Sequence, residues 1–171
     1  MTADAAESAR RRREAAARRW KPDRVRLLLV DEAPPSALDR YFYFEDVTTH
    51  DSLFRYVVRG VLGTEPSRDK APDIAALRDA GVFLLDACPA PFAGRRESLP
   101  ECLPRLLRRV AELQPARVLL IGADVYDVAF RALQDAGAPV IDARLPYPGS
   151  GQQRRFLDGI GVALDRDADD P

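Results

Sequence analysis

Val25-Arg-Leu-Leu-Leu-Val-Asp-Glu-Ala-Pro-Pro35 is the stretch from which the rest of the chain can be organised. Its first six residues are a short leucine and valine run with no helical stripe, which reads as a buried strand ending at Asp31. Pro34 and Pro35 then force a loop. Two further stretches follow the same plan. Val82–Leu85 ends at Asp86 and runs into Cys88-Pro-Ala-Pro91, and Arg117–Ile121 ends at Gly122. A shorter stretch, Pro139–Asp142, reads as a fourth strand. Between them lie helical patterns. Thr49 is the expected N-cap of a helix carrying Leu53, Phe54, Val57, Val58, Val61 and Leu62, closed by Gly63. A second helix runs through Ile74 to Ala80, a third over 99–113, a fourth opens at Gly122-Ala-Asp, and the last covers about 151–164. Strands alternating with helices predict an α/β fold: a three-layer α/β/α sandwich around a mainly parallel four-stranded sheet. In such sheets ligands bind beyond the carboxyl ends of the strands. That rule gathers Asp31–Pro35, Asp86–Pro89, Gly122–Asp124 and Leu145–Ser150 into one crevice.

The 171 residues suffice for a single domain, and 46% apolar with 31% charged residues is a globular composition. No apolar run is long enough to span a membrane, and Met1–Trp20 has no apolar core of a secretory signal, so the expected setting is cytoplasmic. Residues 1–21 carry seven basic groups against Asp4, Glu7 and Glu14, and are read as a basic arm or solvated helix; 22–165 form the domain, and 166–171 an acidic tail. Arginine outnumbers lysine 24 to 2, a signature of a GC-rich genome. Cys88 and Cys102 are expected as two reduced thiols. With one histidine, His50, and two cysteines, no metal site and no cofactor are expected. GxGxxG and GxxxxGK[ST] loops are missing, so dinucleotides and nucleoside triphosphates lose their usual cradle.

Four ordered segments resemble motifs of the uracil-DNA glycosylase superfamily, in particular its thermostable bacterial branch. Leu28–Pro35 resembles a strand followed by Gly-Glu-Ala-Pro-Gly. Asp86–Pro91 and Glu101-Cys102 fall where that branch has an Asn-ended strand, a Cys-Arg-Pro-Pro run and a Glu/Cys helix start. Leu113–Gly122 is similar to its Leu-x-Pro strand, and Leu145–Gln152 to His-Pro-Ser-Pro-x-Ser. The departures are Leu145 at the histidine, Asp86 at the asparagine, and only two of the cluster cysteines, so the iron–sulfur cluster should be missing. The acidic end of the first strand is also similar to that of response-regulator receiver domains. Pro34-Pro35 and the lack of a lysine after a later strand, since only Lys21 and Lys70 exist, weigh against that reading.

The glycosylase resemblance implies recognition of a nucleobase in DNA, single-stranded or damaged, with N-glycosidic hydrolysis. The second reading is a non-catalytic nucleic-acid or nucleotide-binding protein on the same fold. Cleavage proceeds through an oxocarbenium-like sugar, which a carboxylate stabilises or supplies with activated water. Glu32, with Asp31 beside it, is the catalytic candidate. Strand alternation predicts that the two do not enter one pocket equally. A flipped base needs an aromatic platform and an edge reader. Pro34, Tyr43, Phe44 and Asp86 are the base-binding candidates, with an ionised Asp86 repelling uracil carbonyls. Pro146, Tyr147, Pro148, Ser150 and Arg154 are the DNA-binding candidates.

Overall fold

The computed structural model describes residues 3–47, 50–91, 97–149 and 151–166. Its centre is the strand β1 (Leu27–Asp31), with β2 (Val82–Asp86) on one side and β3 (Arg117–Leu120) on the other, both parallel to it. All five β1 residues are buried, so both faces of the sheet are covered, as the continuous apolar run requires. The helices fall into two packed groups. Helices α4 (Leu99–Leu113) and α5 (Ala123–Asp135) pack together, as do α2 (Ser52–Val57), the π-helical turn Val58–Leu62 and α6 (Gln153–Arg166). Helix α3 (Lys70–Asp79) lies against β2 and the π turn. Gly81 sets the register of β1 on β2. Its φ of 78° lies in the left-handed region, and an added Cβ would fall 2.7 Å from the Arg26 side chain. Both Arg26 and Leu27 donate to its carbonyl.

Among the described residues the sheet has three strands where four were expected. Val118 donates to Pro139 O and Ile141 donates to Val118 O, both at 2.8 Å, giving one parallel bridge at Val140. The chain then curls onto itself through Ala143 to Ile141 and Leu145 to Ala143 before a second isolated bridge pairs Leu145 with Ile121. With the N–H groups of Val140, Ala143 and Leu145 spent on local turns, the pairing with β3 stays at isolated bridges and does not extend into a ladder. Helix α2 begins after Asp51, whose carboxylate accepts from Phe54 N–H at 2.7 Å; Thr49 lies outside the described residues.

The basic N-terminal segment is the helix α1 (Ala3–Arg19), and it is docked, in contrast to a solvated arm. Ala16 and Ala17 pack on the core, and Trp20 and Arg13 are buried. Arg13 donates to Pro35 O at 2.8 Å, and the Arg12 guanidinium lies 4.1 Å from the Phe44 ring centroid. Alanines and the aliphatic stems of arginines make this interface, so no leucine stripe marks it in the sequence.

Cys88 and Cys102 form a disulfide, correcting the expectation of two free thiols. The first turn of α4 returns over the carboxyl end of β2, which brings the two Cα atoms to 5.4 Å. A cross-link closing a loop of this size contributes about 3 kcal/mol. The unreduced protein, unfolded in denaturant, is therefore expected to show no reactive thiol, and reductant should lower its urea stability by about that amount. A thiol titration paired with urea unfolding checks both.

Candidate functional site

The chain leaves β1 toward β2 and later returns to the opposite side of β1 to form β3. The carboxyl ends of the strands therefore diverge into connections that separate, and a crevice opens there. The crevice is a cleft of about 580 Å³. Its walls come from the Asp31–Pro35 loop, Tyr41 and Phe42, Asp51 at the start of α2, Asp86, the entry to α5 and the Pro146-Tyr147 turn. Gly122, which opens α5 on this wall, has φ 98° and ψ 131°, a backbone shape that side chains rarely adopt.

Register decides the chemistry of the floor. Asp31 and Asp86 are paired residues of neighbouring parallel strands. Paired residues of adjacent strands point to the same face, so the two carboxyl groups are neighbours. Asp31 is 6% exposed, and burial, reinforced by Asp86, pushes its carboxyl well above the usual range. Burial also raises Asp86, to about 7, against the pull of a hydrogen bond from Tyr41 and of the guanidinium groups of Arg13 and Arg109. Tyr41 Oη donates to Asp86 Oδ2 at 3.3 Å. Asp86 can therefore be a neutral carboxylic acid close to neutral pH, able to donate a proton.

Lys70 holds this wall from behind, a role that its place in the sequence did not reveal. It is 1% exposed; Nζ donates to Tyr41 O at 2.8 Å, lies 3.8 Å from Asp51 Oδ2 and sits 4.3 Å from the Phe54 ring centroid. Burial lowers its pKa to about 8, with Asp51 opposing. One ammonium thus ties the aromatic loop to the cap of α2. The available signal was one of only two lysines, at a helix start, in a chain that has 24 arginines.

Glu32, Asp31, Pro34, Asp86, Pro146 and Tyr147 all line the cleft. Asp31 and Glu32 both line it, Asp31 buried and Glu32 half-buried, with the strand ending at Asp31 and the chain bending at Glu32. Tyr43 and Phe44 do not. A turn closed by Phe44 N–H to Tyr41 O sends Tyr41 and Phe42 to the cleft instead. Tyr43 stacks on Phe83; its hydroxyl accepts from Leu84 N–H at 2.6 Å and donates to Leu84 O, covering the open edge of β2. Phe44 is buried beneath Arg12.

Pro148 is buried away from the cleft lining. Arg154, with a 94% exposed side chain 3.9 Å from Asp158, also lies outside the lining, and Ser150 lies outside the described residues. Tyr147 is 44% exposed. Enclosure of its hydroxyl end, then the charges of Asp31, Asp51 and Asp86, push its phenol upward. Its ring lies across Gly149, where a Cβ would come within 3.1 Å. Leu145 is buried, its side chain in the space that a Cβ on Gly159 of α6 would fill. A histidine there would face the core.

Five carboxyl residues line the cleft (Asp31, Glu32, Asp51, Asp86 and Asp124), and no lysine or arginine does so among the described residues. Also among these, no group of three or more His, Cys, Asp or Glu is placed to hold a metal ion. Glu101 serves the helix: with Ser98 it forms a capping box at the start of α4. No protein-family model matches the chain, and no curated protein was found to be similar to it.

Two outcomes follow from this geometry. With Asp86 at about 7 when folded and 3.8 as its ordinary value, the folded state holds a proton that the unfolded state releases between pH 4 and pH 7. Stability should fall as pH rises through that window and then level off, by at most about 4 kcal/mol from this group. Urea midpoints from pH 4 to 8 should be flatter for Asp86→Asn than for the unaltered protein. Lys70→Met leaves Asp51 and the Tyr41 carbonyl without their buried partner and should cost about 3 kcal/mol in the same unfolding measurement.

Proposed function

We propose that the cleft receives a nucleobase presented by DNA and hydrolyses its N-glycosidic bond, on a three-stranded version of the uracil-DNA glycosylase-like fold. What carries this reading is the convergence of Glu32, Asp86 and Tyr147 on one cleft, with room for a nucleobase and its sugar, at the switch point of the sheet. Glu32 accepts the proton of the attacking water as its oxygen bonds to the anomeric carbon. The glycosidic electron pair leaves with the base, and Asp86 in its neutral form supplies the proton that the base takes up. Tyr41 and Phe42 serve as the aromatic wall, replacing the pair expected from sequence. A neutral Asp86 donates to a base carbonyl where an ionised one would repel it.

A second reading, binding of a nucleobase or nucleotide without cleavage, is favoured by Leu145. With its side chain in the core, the loop lacks the donor that stabilises a departing base. A donor of that kind is worth about 10² to 10³ in rate, so uracil excision should be weak. A cytoplasmic setting, which the repair reading expects, is at odds with a disulfide, because these are rare in reducing compartments.

Oligonucleotides carrying uracil, hypoxanthine, xanthine or intact cytosine test the proposal through abasic-site cleavage. Abasic product is expected from at least one, falling as pH rises above 7 and reduced about 10²- to 10⁴-fold by Glu32→Gln. Binding without abasic product selects the second reading.

A further inference from the structure

A second cavity lies on the other side of Asp86. It encloses about 370 Å³ between α1, β2 and α4, and Tyr41, Leu84 and Asp86 line both it and the cleft. Phe83, Leu85, Ala87, Leu106 and Leu113 supply apolar lining. Cations surround that lining: Arg10, Arg13, Arg18 and Lys21 from α1 and its end, Arg105 and Arg109 from α4. Part of this charge is already answered. Arg10 bonds Glu7 and Glu14, Arg105 bonds Glu97, and Arg18 lies 4.0 Å from Glu14; Glu112 adds a further acid to the wall.

Arg13 is different. It is 5% exposed and donates to Pro35 O; the Asp86 carboxyl acts on its charge, but no carboxylate lies within ion-pairing distance among the described residues. Arg109 and Lys21 also have no ion pair among these residues. Buried charge is normally paired, because desolvation without a counter-charge costs several kcal/mol. A buried, unpaired guanidinium in a pocket with further unpaired cations is built for an anion, and Arg is suited to phosphate. The volume and the apolar lining fit a small organic body.

We infer that this cavity is a binding site for a small phosphate monoester with an apolar or aromatic body, held by Arg13 and Arg109. The inference does not depend on the chemistry assigned to the cleft. The site also reaches that cleft through Asp86. The groups acting on Asp86 are Tyr41 from the aromatic loop, Arg13 from α1, Arg109 from α4 and the acid Asp51, and Asp31 stands beside it in register. A phosphate on the two arginines offsets the positive charge that holds the Asp86 carboxyl down, so occupancy raises it.

Phenyl phosphate is a suitable probe, titrated calorimetrically into the full chain at low salt. Binding with a Kd below about 1 mM is expected, with none for phenol, which has the ring without the anion. Arg109→Glu should weaken binding at least about tenfold, and Arg13→Met likewise. Arg109 is exposed and unpaired, so its variant remains informative even if Arg13→Met undocks α1. Carboxyl carbon NMR should show the Asp86 midpoint, about 7 without ligand, move upward on saturation. Lack of phenyl phosphate binding, or an unchanged Kd in Arg109→Glu, overturns the inference. So does binding of an oligothymidylate that Arg109→Glu abolishes while phenyl phosphate does not bind, since the cavity would then belong to a nucleic-acid tract.

Discussion

The parallel pairing of β1 with β2, residue for residue from Leu27↔Val82 to Asp31↔Asp86, is the constraint on which the rest depends. Four consecutive apolar residues, Leu27–Val30, suit β1 to the centre of the sheet, where all five of its residues are buried. Once that register is set, two carboxyl groups stand side by side at the strand ends. Neither ionises freely, because burial disfavours the charge of both, and the Asp86 carboxyl adds its opposition at Asp31. Burial that stabilises the sheet is thus the same burial that gives Asp86 its proton near neutrality. A slip of one residue would turn the pair to opposite faces and dissolve the site.

Around this pair the molecule uses long cationic side chains as internal struts. Lys70 binds the Tyr41 carbonyl and faces Asp51, joining the aromatic loop to α2. Arg13 binds Pro35 O and joins α1 to the double-proline loop. Both act on the wall that separates the cleft from the basic cavity, and Tyr41 and Asp86 belong to that wall on both sides. Acid faces one cavity and base the other. The contrast gives each a different preference: an uncharged, hydrogen-bonding ring suits the cleft, and an anion suits the cavity behind it.

Much of this was legible in the chain. β-branched and leucine runs ending at Asp31, Asp86 and Gly122 marked the three strands, and Gly63 closed its helix. The carboxyl-end rule then brought Glu32, Pro34, Asp86 and Tyr147 together without a coordinate. These features are local, or follow from topology, and a linear pattern records them. The fourth strand failed for a local reason as well: Val140, Ala143 and Leu145 spend their N–H groups on tight turns, while Ile141 donates to β3.

Other features were decided only by packing. Which two of four consecutive aromatic residues face the cleft depends on a single turn hydrogen bond, Phe44 N–H to Tyr41 O, and on an edge of β2 that needed the Tyr43 hydroxyl. The disulfide depends on where α4 starts in space, and the docking of α1 on alanines and arginine stems that carry no hydrophobic period. The sequence by itself determined the α/β class, the strand ends and the acids placed there, because hydrophobic periodicity and turn residues act over a few positions. Only the tertiary structure decided the charge state of Asp86, the burial of Lys70 and Arg13, and the division into two cavities, because each arises from groups tens of residues apart meeting where water is excluded.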